Sequence, residues 1–362
     1  MSASFASWLA TRSAGQIEFA PDVATPRSFG DPAREHMATR RAGGLYDFSF
    51  MQCAEIAGAR ALECVEALQT RRLVALPPGR IAYTLLLRDD GSVGNDATVW
   101  RLERDRFRVF TGRRADHAAI AAFAARFDIA VAPTGDCAVI AIQGDVSRRT
   151  IERALHGIDL AALPYYGFCA ARFGATDCWI ARLGYSGETG YEIVIADAAA
   201  RALWEGLLGA GADAGLVECG FEAANSLRIE AGHILFTREL AAPVTPFELG
   251  FGRLVDFHGR DFVGARALRQ SRWSEPARRL VGLLPAGDAP SAAIVPPQLD
   301  EGTAAMTSDC LSPLFERRIG IGFAARADVR PGSRVELAGG GRAVVARLPF
   351  YDPPKALARR GR

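Results

Sequence analysis

Lysine is nearly missing from this chain: of 43 basic residues only Lys355 is a lysine, and the rest of the positive charge is arginine. A Schiff-base lysine is thereby excluded everywhere except at the carboxyl end. The seven cysteines (53, 64, 137, 169, 178, 219 and 310) contain no Cys-x-x-Cys pair, and their odd number fits reduced, mostly buried thiols better than a disulfide frame. The five histidines (36, 117, 156, 233 and 258) lack metal-ligand spacing, so no zinc or iron site is expected. No apolar run reaches about 18 residues, and 1–14 has no basic start followed by a long apolar stretch. Neither a membrane span nor a signal peptide is expected, and cytoplasm is the default compartment. The 43 basic and 41 acidic residues nearly cancel, so bulk charge points to neither a nucleic-acid nor a membrane partner.

What is present is enough apolar material, 49% of 362 residues, to bury a large core across two or three domains. Asp31 followed by Pro32 predicts a capped helix over 32–41, and the alternating aromatics of 45–50 predict a strand. Strand and helix follow within 54–69, then three strands at 81–87, 97–102 and 107–111. Helices are expected over 116–126, 147–156, 197–212 and 222–232, and strands over 137–143 and within 168–183. From about residue 279 the texture changes to short apolar runs at 280–284, 318–324, 333–337 and 341–348, separated by Pro and Gly. The pattern predicts an α+β region over 1–270 and a small all-β barrel or sandwich over 279–362, joined near 271–278.

The most informative stretch is Arg182-Leu183-Gly184-Tyr185-Ser186-Gly187-Glu188-Thr189-Gly190-Tyr191-Glu192-Ile193-Val194-Ile195. Its glycines permit unusual backbone angles and close ligand approach, while 191–195 alternates and branches like a strand. A carboxylate held stiffly at position 192 offers two adjacent acceptor oxygens, suited to a planar edge with two N–H donors such as a pterin, a guanine or an arginine. The competing interpretation is a hairpin turn with Glu188 and Glu192 in solvent.

Four segments in order, Leu45-Tyr46-Asp47-Phe48-Ser49-Phe50-Met51, Gly184-Tyr185-Ser186-Gly187-Glu188-Thr189-Gly190-Tyr191-Glu192, Ser226-Leu227-Arg228-Ile229-Glu230-Ala231-Gly232 and Thr245-Pro246-Phe247-Glu248-Leu249-Gly250, together resemble the aminomethyltransferase family, whose best-known member is the glycine-cleavage T-protein. Supporting matches include Gln143-Gly144, Leu163-Pro164-Tyr165-Tyr166-Gly167-Phe168 and Asp261-Phe262-Val263-Gly264. The resemblance implies three lobes, two interleaved α+β lobes and a carboxyl-terminal β-barrel, around a channel that binds tetrahydrofolate and receives a one-carbon unit. It implies that Glu192 pairs with the pterin and that Asp96, in Gly91-Ser92-Val93-Gly94-Asn95-Asp96-Ala97, is the catalytic carboxylate. Such a group can manage a proton and stabilise positive charge. The alternative for Asp96 is a turn-stabilising role before the next strand.

Tyr83 falls where the family has a strand facing folate. Arg228 lies in the Leu-Arg-hydrophobic-Glu-Ala-Gly helix, where a buried structural pair is the competing role. Tyr185 and Tyr191 flank the glycine loop, but alternate strand residues face opposite ways and only one of them can position a ligand. The chain also departs from the pattern. Phe50 stands where glycine-cleavage enzymes have histidine, Ala223-Ala224-Asn225 replaces an Ala-Arg-Asp whose arginine holds the folate tail, and Asn95-Asp96 replaces a pair of acids. Arg113 or Arg114 would have to supply the lost guanidinium. These changes argue against a lipoyl-carrier partner and for a free methylated small molecule, N-, O- or S-methyl, with Phe48 and Phe50 suiting an apolar methyl group. Two further options are a non-catalytic folate-binding protein assisting iron–sulfur assembly and a folate-binding subunit beside an amine oxidase.

Overall fold

The protein is described by a computed structural model covering residues 4–21, 23–133, 136–271, 275–287, 296, 298–352 and 354–359. Two mixed lobes and a barrel make up the fold. In the first lobe six strands lie in the order Phe168–Phe173, Thr176–Ala181, Gly190–Ala196, Cys137–Gln143, Gly43–Asp47 and Leu216–Glu218. Only the last pair is parallel. In the second, five antiparallel strands lie in the order Arg80–Leu87, Val93–Glu103, Arg106–Thr111, Gln52–Ala57 and Ala132–Pro133. The chain leaves the first sheet after Gly43–Asp47, builds the whole second sheet, and returns to the first at Cys137–Gln143, so the second lobe is inserted within the first.

Period-two patterning sets what each face covers. In the first sheet Ile140, Ile142, Ile193 and Ile195 pack outward with Leu203, Trp204 and Leu207 of the helix Asp197–Gly211. Their neighbours Val139, Ala141 and Val194 turn inward and join Leu85, Trp100 and Phe168 in a core shared by both sheets. On the second sheet Ala97 and Val99 pack outward with residues of the helix Ala61–Leu68 and with Ile120 and Ala124 of Arg114–Ala124. The five strands Arg278–Pro285, Arg317–Ala325, Thr303–Ser312, Arg334–Leu337 and Arg342–Ala346 close into a barrel, which decides the barrel-or-sandwich question. The helix Phe221–Glu230 docks on it through Ile229, Ile319 and Ile321. After the barrel the chain returns to the first lobe, where Tyr351 N donates to Glu230 O at 2.8 Å and Thr189 Oγ1 to Leu357 O at 3.0 Å.

Several expected elements appear with shifted ends. The helix Pro32–Arg41 has Asp31 capping Ala33 N at 2.9 Å. The strand expected from residue 97 begins at Val93, so Asp96 lies inside a strand and not in the preceding turn. The strand expected over 45–50 ends at Asp47, leaving Phe48 and Phe50 in the connection that follows. The joint expected at 271–278 falls partly on 272–274, outside the described residues.

Candidate active site

The segment Pro164 to Phe168 stitches the two lobes together. Ile81 N donates to Tyr166 O at 2.9 Å and Phe168 N to Gly79 O at 3.0 Å on the second-lobe side, while Tyr166 N donates to Arg182 O at 2.9 Å on the first. Tyr166 adopts a left-handed φ of 57°, a conformation that costs a side-chain-bearing residue energy and persists only where its surroundings impose it. This stitch faces the inner surface of the strand Arg80–Leu87 toward that of Gly190–Ala196.

From the second sheet come Tyr83 and Asp96. Leu85 lies opposite Asp96 in the antiparallel register, with Tyr83 on the same face one step along, and the Tyr83 hydroxyl donates to Asp96 Oδ2 at 3.0 Å. Burial raises the proton affinity of Asp96, against the Tyr83 hydrogen bond and the nearby Arg113 charge, and the Asp116 charge adds to the rise. Asn95 faces away, its amide donating to Asp116 at 2.5 Å while its side-chain oxygen accepts Asp96 N at 2.9 Å. The asparagine that replaces an acid therefore holds the backbone of Asp96 in place.

From the first sheet comes Glu192, set between Ala181 and Ala141 on the two adjoining strands. Only 6% of it is exposed, and no hydrogen bond or ion pair to its carboxyl occurs among the described residues. Burial alone pushes its pKa up to about 8. A carboxyl in solvent on a decorated turn is thus overturned as an account of this residue. The charge of Glu192 reaches the phenols of Tyr165 and Tyr166.

Tyr185 joins the inner cluster. Its ring stacks on His233 at 5.7 Å, meets Phe48 edge-on at 6.4 Å, and its hydroxyl donates to Ile234 O at 2.5 Å. His233 is kept neutral by burial, its pKa near about 3. Tyr191 goes the other way: it is 1% exposed in the outer core with Leu45 and Trp204, on the face opposite Glu192. Arg228 is committed to the protein interior, although it also lines the cavity described below. It is 1% exposed and donates to Asn225, His233 O, Glu239 and Ser308 at 2.7–3.0 Å, tying its helix to the barrel. Arg113 donates to Phe236 O at 3.1 Å and acts on Asp96.

The glycines of the loop have a different purpose from ligand approach. A Cβ on Gly184 or Gly190 would overlap the Gln143 carboxamide, which threads between them and accepts from Ser186 Oγ at 2.7 Å. Of the three, Gly187 alone needs its left-handed φ, 85°. A cavity of about 320 Å³, lined by neither Asp96 nor Glu192, opens between Phe19, Phe221, Asn225, Arg238 and the barrel residue Thr307. Phe19 packs against Phe236 at 5.5 Å, and Phe236 carries Arg113, so one aromatic layer separates this cavity from the acid. Arg238 makes no ion pair among the described residues, and neither it nor Tyr166 was singled out by sequence reasoning; Tyr166 had a signal in Leu163-Pro164-Tyr165-Tyr166-Gly167-Phe168, Arg238 had none.

Two α+β lobes closed by a barrel, with a buried acid on each sheet, make up a three-lobed α+β fold. Residues 5–259 match the GCVT N-terminal domain family. The chain is 34% identical over 343 residues to an aminomethyltransferase of Streptomyces coelicolor, covering 91% of this chain and 92% of that protein. It is 33% identical to one of Methylococcus capsulatus over 327 residues, 87% and 86% of the two chains. The crystal structure of glycine cleavage system aminomethyltransferase T from Bartonella henselae superposes with a TM-score of 0.82 at 26% identity, covering 96% of each chain. The chain belongs to the aminomethyltransferase family, whose members are folate-dependent one-carbon transferases. With a glycine cleavage protein among its relatives, the expectation that excluded a lipoyl carrier has no support.

Proposed function

We propose that the protein transfers a methyl or methylene unit from a small methylated substrate to tetrahydrofolate. The observation that carries this reading is Glu192, a buried carboxyl between two alanines with no hydrogen-bond or ion-pair partner among the described residues. Leaving such a group unsatisfied is costly, and a ligand edge with two adjacent N–H donors would satisfy both oxygens at once. The residues present fit the pterin head: Glu192 would hold its N–H edge, with the Tyr166 phenol within reach of its charge and Tyr83 beside Asp96. Tetrahydrofolate supplies the nitrogen that accepts the carbon.

For a methyl unit, balance requires one proton to travel from that nitrogen to the departing heteroatom, with no oxidant; a methylene unit comes without an oxidant only from a donor already at the aminomethyl level. Asp96 is placed to carry it, since burial lifts its proton affinity toward the range where a carboxyl can both take and give. The arginine absent at Ala224 leaves the folate tail to other cations. Arg113 is occupied beside Asp96, whereas Arg238 on the 320 Å³ cavity makes no ion pair among the described residues. A carrier-borne aminomethyl donor is the second reading, favoured by the relatives' common name.

Tetrahydrofolate at about 100 times its dissociation constant should stabilise the protein by about 2.7 kcal/mol, read as a rise in Tm. The absence of any rise removes the folate reading. A panel of free methylated amines, ethers and thioethers against an aminomethylated lipoyl carrier then identifies the donor, and turnover with the carrier alone overturns the small-molecule form.

A further inference from the structure

Behind the strand that carries Tyr83 stands a cation with no ion-pair partner among the described residues. Arg71 is half-buried, makes no ion pair among the described residues, and spends one long hydrogen bond, 3.3 Å, on Tyr83 O. Its neighbour Arg72, by contrast, meets Asp256 at 3.4 Å. The position of Arg71 is built with care: the Gln69 carboxamide accepts Arg71 N and donates to Arg71 O, both at 2.6 Å, and Gln69 itself is 1% exposed and accepts from Thr84 Oγ1 at 2.5 Å. This clamp fixes the loop against the strand that carries Tyr83. The Arg71 charge reaches the phenol of Tyr166, the residue held in a left-handed conformation by the interlobe stitch. The clamped, half-buried guanidinium thus touches the Tyr83 backbone, whose phenol meets Asp96, and its charge reaches Tyr166, the phenol that also feels Glu192.

A guanidinium withdrawn from water without an anion is destabilising, and an anionic ligand removes that cost. Pterin binding uses Glu192 and proton transfer uses Asp96, and neither needs another positive charge at this point. We propose that Arg71 receives a carboxylate of the one-carbon donor, so that the substrate is a small methylated carboxylic acid. This rests on the folate reading above.

The test is calorimetric and needs no turnover. Tetrahydrofolate affinity is measured first and alone, so a failure there overturns the underlying reading. The folate-loaded protein is then titrated with N-methylglycine, methoxyacetate and (methylthio)acetate, and with their matched alcohols N-methylethanolamine, 2-methoxyethanol and 2-(methylthio)ethanol. At least one acid should bind, its alcohol roughly 10-fold or more weaker. Arg71→Met should weaken that acid roughly 10- to 100-fold and leave tetrahydrofolate affinity within about 2-fold, with Arg71→Lys between the two. If no acid binds, or acid and alcohol bind alike, the assignment is overturned on the wild-type protein alone. If Arg71→Met spares the acid and weakens tetrahydrofolate, the carboxylate belongs to folate and the assignment is equally overturned.

Discussion

The Tyr83 hydroxyl points at Asp96 Oδ2 across 3.0 Å, from the neighbouring strand and the same face of the sheet. That hydrogen bond favours the carboxylate and partly offsets the burial that raises its proton affinity. Tyr83→Phe removes it, and the apparent pKa of Asp96 should climb by about one unit. The acid limb of the kcat/KM profile should move to higher pH by that amount. An unmoved limb would detach the tyrosine from the acid.

Asp96→Asn keeps the shape and loses the proton. Turnover should fall by about 100-fold or more, while tetrahydrofolate raises Tm as in the wild type. Full activity in this variant would remove Asp96 from the chemistry and leave the binding role of Glu192 standing.

Glu192 gives a stability signature in the absence of ligand. Its folded pKa of about 8 lies above the ordinary 4.5, so the folded state holds a proton that the unfolded chain releases. The sign follows: this group favours folding most below pH 4.5, and stability drains away as pH rises to about 8, by up to about 1.4 kcal/mol per unit. Glu192→Gln should flatten that loss, so the variant gains on the wild type between pH 5 and 8 while losing most of its tetrahydrofolate affinity. Parallel stability curves for the two proteins would contradict the buried, unpaired state.

The outline of the fold was legible where local chemistry decides structure. Asp31 and Pro32 announce the helix Pro32–Arg41, and the branched run after Gly190 announces its strand. The strand Thr303–Ser312 escaped notice because a bulge between Met306 and Ser308 breaks its alternation and its buried apolar residues are only Ala304, Ala305 and Met306. Of the candidate site, Asp96 and Glu192 were singled out by motif, and adjacency in one strand puts Tyr191 on the face opposite Glu192. Arg71 and Arg238 gave no sign, because their meaning lies in the absence of a counter-ion, which only tertiary structure can show. The glycines misled for the same reason: the group that needs their missing side chains is Gln143, some forty residues earlier in the chain.

That last contact predicts a compensating pair. Gly184→Ala pushes a methyl group into the Gln143 carboxamide, which is 1% exposed and cannot retreat, and should cost roughly 1–3 kcal/mol in urea unfolding. Gln143→Ala alone forfeits the Ser186 hydrogen bond, about 1 kcal/mol. The double variant should be more stable than the sum of the two losses, with a coupling of about 1 kcal/mol or more. Additive losses would mean that the loop glycines answer to something other than Gln143.

Arg228 separates a structural arginine from a ligand-binding one. Its guanidinium and the Glu239 carboxylate meet at 2.9 Å with 1% and 0% exposure, and Glu239 also accepts from Leu235 N, Thr307 and Ser308 at 2.6–2.8 Å. Arg228→Met strands that carboxylate in the interior and should cost about 3–5 kcal/mol. Glu239→Gln in the same chain removes the orphaned charge and should recover part of the loss, since a neutral amide still accepts from the barrel hydroxyls. The double variant, once folded, should bind tetrahydrofolate within about 2-fold of the wild type, because Arg228 spends its hydrogen bonds on protein atoms. A large loss of affinity in a folded double variant would return Arg228 to the ligand and undo the assignment of the buried pair as the brace between helix and barrel.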